Sequence, residues 1–194
     1  ELCRSYDVSR VTVRESLKKL QMMDVISIEQ GRGTFVKGVN LGSFMKPMFS
    51  LIDFGDFDIN TIYDARLYIE AGTSRLAAMN RTKENLEVLA EILERMRGLQ
   101  GATDKKSLAA LREADAQFHI HVAMASRNEI LKAAVINLET ISAACAKRVG
   151  KTYAALEDVY DEHRRIFEAI RDGDASEAER AMVAHTIKSE DFLR

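Results

Sequence analysis

The feature that most constrains this 194-residue chain is its shortage of helix breakers. Pro47 is the one proline, and only five of the ten glycines lie beyond residue 58. A chain without proline and glycine has little to stop an amphipathic helix once one has begun. From Ile59 onward apolar residues recur with a 3.6-residue period, and no strand alternation or internal repeat interrupts them. The spacing predicts helices over 60–80, 83–99, 105–125, 129–149, 152–171 and 175–192, broken at "NRTKE", "GLQGATDK", "SRNE", "VGKT" and "DGDA". With 46% apolar residues the chain can bury a sizeable core. Residues 59–194 therefore read as an all-α antiparallel helical bundle.

The first forty residues follow different rules. Residues 2–6 read as the end of a short helix, and Ser9 as the N-cap of a second over 10–23. Val13, Ser16, Leu17 and Leu20 form the apolar stripe of that second helix. In "VISIEQGRGTFVKG", Ile26 and Ile28 alternate with polar residues and "GRG" supplies a turn, the pattern of a β-hairpin with Arg32 at its tip. A helix pair followed by a hairpin is a winged helix-turn-helix. The chain is thus mainly α, with a winged helix-turn-helix over 1–38 whose first helix is missing, a linker with a short helix (44–54) over 39–58, and the bundle over 59–194. The sequence opens without Met and in mid-pattern, as though residues before Glu1 are absent.

On the predicted second helix Arg10, Arg14 and Lys18 stand at i,i+4 spacing, where like charges repel. A solvated surface helix is one explanation of the row; a polyanion is the other. The recognition helix of a helix-turn-helix meets base edges with its N-terminal residues, and guanidinium groups grip guanine edges or phosphates. Ser9 and Thr12 are short donors suited to phosphates or bases. Gly31 and Gly33 flank Arg32 and let a wing tip approach a groove closely. Residues 1–40 carry a net charge of +2 and the remainder −4, as expected if the two parts meet different partners.

These residues carry a resemblance. "YDVSRVTVRESLKKLQMMDVISIEQGRGTFV" is similar to the DNA-binding half of GntR-family transcription regulators, through Val8-Ser9-Arg10, Val13-Arg14-Glu15, Leu17, Leu20 and Gly31-Arg32-Gly33-Thr34-Phe35-Val36. The resemblance implies contact with operator DNA by Arg10, Arg14 and the wing glycines. Asp24 stands where the family usually has a glycine after the recognition helix.

No run of 18 apolar residues exists and the N-terminus has no apolar signal region, so the expected location is the cytoplasm, with no membrane contact. Cys3 and Cys145 match no metal or redox spacing.

A second cluster of chemistry lies in the bundle. All four histidines, at 119, 121, 163 and 185, follow residue 118. Asp115 and His119 share an inward helix face with Leu108, Leu111 and Val122, whereas His121 is 200° away from His119 at 100° per residue. His163 shares a face with Leu156, Val159, Phe167 and Ile170, and His185 with Ala178, Ala181, Met182 and Phe192. A turn at Gly173 places His163 and His185 at similar depth, roughly 15–18 Å from it, and His119 lies roughly 12 Å from the break at Arg127. Three imidazoles and one carboxylate at comparable depth suit Zn²⁺, Ni²⁺, Mn²⁺ or Fe²⁺, with zinc the first choice. Hydrogen-bonded core histidines would satisfy the same pattern.

"DARLYIEAGTSRLAA", "ADAQFHIHVAMASRNEIL" and "EHRRIFEAIRDGDASEAERAMVAHT" resemble the FCD ligand-binding domain of the FadR branch of GntR regulators. The resemblance implies Asp115, His119, His163 and His185 as metal ligands and a small carboxylate, hydroxy-acid or sugar-acid effector held with the metal. Arg66 lies on the apolar face of its helix with Ile62 and Thr73. It is read either as an ion pair with Glu70 at i+4 or as the effector clamp, a role the resemblance supports. Asn137 and Arg148 share a helix face and are candidates for the same pocket.

The leading expectation is a DNA-binding transcription repressor that dimerises on a palindromic operator and answers to an effector at its metal site. The alternative is a metal-dependent His3Asp enzyme, for which Asp161 and Glu162 beside His163 are the candidate bases, although their wheel positions point away from the histidine face. A third reading makes the bundle a metal-free scaffold. "LAAMNRTKENLEVLAEILERM" reads either as dimer contact or as core.

Overall fold

The structure, a computed structural model, describes residues 1–37, 59–149 and 159–193. The chain divides into two compact units, Glu1–Phe54 and Gly55–Arg194.

In the smaller unit α1 (Leu2–Ser5) precedes α2 (Arg10–Met22). Ser9 caps α2: its Oγ accepts from the Thr12 backbone N–H at 3.1 Å. The helix closes in a Schellman motif, with the Val25 N–H on Leu20 O and the Asp24 N–H on Gln21 O, both at 3.0 Å. That motif needs a left-handed residue, and Asp24 supplies it at φ +56°. The departure from glycine at 24 is therefore absorbed by a residue type that tolerates the left-handed region. Strands β1 (Ile26–Glu29) and β2 (Gly33–Val36) pair antiparallel from Ile26↔Val36 to Glu29↔Gly33. Gly31, at φ +78°, takes the turn position where a side chain would be strained. The expected buried stripe of α2 is not buried here: Val13 and Leu17 are half-buried, and Ser16 and Leu20 are exposed. A four-residue helix and a two-stranded wing offer too little apolar area to cover it.

The larger unit holds α3 (Ile59–Asn80), α4 (Lys83–Arg97), α5 (Lys105–Ala125), α6 (Glu129–Val149), α7 (Val159–Asp172) and α8 (Ala175–Leu193). Each start or stop in this unit that the sequence predicts within the described residues falls within two positions of the one observed. The expected short helix at 44–54 and the first residues of the expected 152–171 helix lie outside the described residues. Helix α3 packs against α5, α6, α7 and α8, while α4 lies on α5 and α7. The core gathers Leu89, Ile92, Met96, Phe118, Val122, Ile166, Ile170 and Met182, all at most 4% exposed. In "LAAMNRTKENLEVLAEILERM", Ala77, Ala78, Leu89, Ile92, Leu93 and Met96 belong to the core, whereas Met79 is exposed.

Caps position the site. Asp104 accepts from Lys106 and Ser107 N–H at 3.0 Å each and starts α5. Arg127 takes a left-handed φ of +55°, and Asn128 Oδ1 accepts from Ile130 and Leu131 N–H at 3.1 Å each to start α6. "DGDA" is a double cap. Gly173, at φ +80°, ends α7 in a Schellman motif, and Asp174 at once caps α8 through Ser176 and Glu177 N–H at 3.1 and 2.9 Å. Helices α7 and α8 consequently run antiparallel, with His185 beside Glu162.

Candidate functional site

Asp115 and His119 project from α5, His163 from α7 and His185 from α8, and their ligand atoms all lie within 4.8 Å of one another. All three histidines are buried. His163 Nε2 is 3.0 Å and His119 Nε2 3.9 Å from Asp115 Oδ1, and the Nε2 atoms of His119 and His185 are 3.2 Å apart. The opposite ring nitrogens are held from outside. His119 Nδ1 lies 2.5 Å from Glu70 Oε2, His163 Nδ1 2.7 Å from the Val159 carbonyl and His185 Nδ1 2.9 Å from Glu162 Oε2. His163 and His185 are hydrogen-bonded through Nδ1, His119 Nδ1 lies against the Glu70 carboxylate in a close ion-pair approach without an aligned hydrogen bond, and three Nε2 atoms and one carboxylate oxygen converge. Ligating histidines are oriented in this way, by a carboxylate or carbonyl on the far nitrogen.

The donor set fits a divalent cation. Asp115 Oδ1 and His163 Nε2 are buried with no well-aligned hydrogen bond among the described residues, despite their 3.0 Å approach. Unmade hydrogen bonds at buried polar atoms are costly and uncommon. The 3.0–3.9 Å separations bracket the roughly 3.4 Å ligand–ligand edge of a tetrahedral site with 2.1 Å bonds. Phe118 stands edge-on to His163 at 4.8 Å between centroids and closes one side with an apolar ring.

The electrostatics are those of a packed charge cluster. Burial opposes protonation of His119, but Glu70 overrides it and carries its pKa up to about 9. Burial and the neighbouring His163 hold His185 down to about 4. Burial opposes ionisation of Asp115, yet the close approach and charge of His163 draw it below the usual carboxylate range.

Behind His119 the network continues. Glu70 Oε1 meets Arg66 Nε at 2.5 Å, and Arg66 Nη2 meets Glu139 Oε1 at 2.6 Å, all three residues being buried. Burial pushes Glu139 up to about 7 against the pull of Arg66, whereas Glu70, between Arg66 and His119, is held low. The Arg66 guanidinium also lies over the Tyr63 ring at 5.3 Å. Asn137 is buried, and its side-chain amide donates to Ala133 O on its own helix at 2.6 Å. The side chain of Arg148 lies outside the described residues. His121 stays apart, half-buried, with Nδ1 2.8 Å from Gln117 O.

Glu139 went unassigned in the sequence, and Glu162 was considered only as a candidate base of the enzyme alternative, not as a partner of His185. Glu162 sits on a wheel position off the histidine face of α7, but α8 packs against that flank, so its carboxylate reaches His185 and, at 2.5 Å, Lys188. Asp161 does point away, pairing with Arg164 at 3.3 Å. Glu139 lies 73 residues from Arg66, and no local pattern announces the pairing.

In the smaller unit Arg10, Arg14 and Lys18 form an exposed row along α2, with Lys18 3.0 Å from Glu15. The Ser9 and Thr12 hydroxyls bond each other at 2.9 Å. Arg32 pairs with Glu29 at the wing tip, 6.0 Å over the Phe35 ring, and Gly31 and Gly33 are exposed beside it.

The FCD domain family matches residues 61–188, and the bacterial regulatory proteins of the gntR family match residues 1–36. The chain belongs to the GntR family, FadR subfamily, with an FCD domain at its C-terminal end. It is 30% identical to the HTH-type transcriptional regulator LutR of Bacillus subtilis over 99% of this chain and 88% of the relative. It is 27% identical to the galactonate operon transcriptional repressor of Escherichia coli over 91% and 78% of the two chains. Among solved structures, a Streptococcus agalactiae GntR protein superposes with a TM-score of 0.69 at 26% identity, covering 98% of this chain and 85% of that one. This GntR/FCD chain is a DNA-binding transcription regulator, and the relatives it matches are regulators rather than enzymes. Among the described residues no helix is long and apolar enough to cross a membrane.

Proposed function

We propose that this regulator is a cytoplasmic repressor whose bundle holds a divalent metal on Asp115, His119, His163 and His185, zinc being the first choice, and senses a small carboxylate, hydroxy acid or sugar acid there. The observation that carries the reading is the convergence of three Nε2 atoms and Asp115 Oδ1, with Val159 O and Glu162 holding two of the Nδ1 atoms and the Glu70 carboxylate lying against the third. A bound cation would supply Lewis acidity and an anchoring charge for an effector carboxylate. Arg66 would clamp the effector, with Asn137 and Arg148 lining the same pocket. The similarity to the galactonate operon repressor supports an acid of this class.

On the DNA side, Arg10 and Arg14 would read base edges or phosphates. Ser9, Thr12 and Lys18 would position α2, and Gly31, Arg32 and Gly33 would form the groove-probing wing. A homodimer would set two recognition helices on a palindromic operator. The division at 1–38, 39–58 and 59–194 would separate reader, connector and sensor. Effector binding represses or releases DNA only through different affinities for two states of the protein.

Anisotropy titrations on a DNA fragment selected from a random pool test the reading. The expected result is binding that weakens steeply with salt and shifts with galactonate only while metal is present. A galactonate response that survives chelation, or that persists in Asp115→Ala, would contradict it.

A further inference from the structure

Arg66 is the one buried Lys or Arg among the described residues, and it carries two carboxylates of unequal standing. Glu70 is clamped at both ends, Oε1 on Arg66 Nε and Oε2 on His119 Nδ1, each at 2.5 Å. Moving it would release a histidine of the metal cluster. Glu139 arrives from α6, and its Oε1 lies 2.6 Å from Arg66 Nη2; Arg66 is the only partner found for it among the described residues.

We propose that Glu139 is an internal occupant of the carboxylate seat on Arg66, which a small monocarboxylate effector takes by displacing it. The inference rests on the reading of Arg66 as the effector clamp. Its physical basis is charge conservation in a buried place. A ligand carboxylate added beside Glu70 and Glu139 would set three carboxylates against the two bases Arg66 and His119, and an uncompensated buried charge is strongly disfavoured. Exchanging one carboxylate for another keeps the buried charge constant and preserves the charge-assisted hydrogen bond to Nη2. A neutral ligand gains nothing from the exchange, and a phosphate dianion brings one charge too many.

Ser142, three residues beyond Glu139 on α6, and Ser74, four beyond Glu70 on α3, are buried hydroxyls with no hydrogen-bond partner among the described residues. Glu139 would then set both the class of acid admitted and the concentration at which it is admitted.

Calorimetric titration of the full chain as purified with L-lactate and with lactamide tests this. Wild type, Glu139→Gln, Glu139→Ala and Arg66→Gln are compared, with metal content and helicity measured on each. Both Glu139 variants are expected to bind lactate about tenfold tighter or more, the effect of removing a competitor held by a charged hydrogen bond. Lactamide affinity is expected to stay unchanged and Arg66→Gln to lose lactate. Should Glu139→Ala unfold, Glu139→Gln keeps the side-chain volume and decides alone. Lactate binding that is no tighter in the folded Glu139 variants, yet lost in Arg66→Gln, would overturn the exchange and leave the clamp standing. Lactate binding by none of the proteins, or binding undiminished by Arg66→Gln, would overturn the clamp and the exchange together.

Discussion

His119 meets an acid through each of its ring nitrogens, and its pH behaviour follows from that. With Glu70 on Nδ1 its pKa rises to about 9 from 6.5, so a metal arriving at Nε2 at neutral pH must displace a proton. Metal affinity should therefore increase about tenfold per pH unit between about pH 6.5 and 8.5; a flat profile in a competitive chelator titration would deny the Glu70 pairing. The metal-free chain carries its own signature. Because the folded pKa of His119 lies above its unfolded value, its contribution is whole below about pH 6.5 and drains away as pH rises towards about 9. His185, held near 4, behaves oppositely: its contribution is present above about 6.5 and is lost as pH falls towards about 4. Glu139, held up to about 7, loses its contribution as pH rises from about 4.5 and offsets the gain from His185. The melting temperature of chelated protein should therefore stay level up to about pH 6.5 and fall from there towards 9; a steady climb to pH 9 would contradict the His119 assignment. The four cluster residues were legible because helical spacing fixes which side chains share a face. Glu139 and Glu162 were not, because their partners lie on other helices and only interhelical packing decides the meeting.

At the scale of elements, the breaks hold as much information as the helices. A Cβ added at Gly173 would sit 2.7 Å from the Arg81 guanidinium, on a backbone already at φ +80°. Gly98 ends α4 at φ −66°, and a Cβ there meets only ordinary contacts at 3.6 Å. Gly173→Ala should lower stability by about 1–2 kcal/mol, while Gly98→Ala should be neutral or stabilise by about 0.4–1 kcal/mol. Denaturant midpoints of the pair check this, and equal effects would refute the double-cap account of "DGDA". Helix limits were legible because caps such as Asp104, Asn128 and Asp174 announce them. The exposure of Leu20 was not, because amphipathicity shows which face seeks cover and not whether the neighbouring elements can cover it. The exposed row on α2 makes its own prediction. Arg14→Ala should reduce operator affinity by about 1–3 kcal/mol if Arg14 reads a guanine, and unchanged binding to the selected fragment would remove it from the interface.

For the whole molecule, a gntR-type region and an FCD domain are joined in one chain, and the proposal stands or falls on the centre of the FCD domain. Family membership makes the chain a regulator; the converging donors make it a metal-dependent one in the proposal above. The direct test is elemental analysis of the purified protein beside Asp115→Ala, His119→Ala, His163→Ala and His185→Ala, with helicity recorded for each. The account predicts one divalent metal per chain in the wild type and its loss from every variant that keeps its helical content. Wild-type protein without metal after equilibration with zinc, or variants that retain a full equivalent, would contradict it.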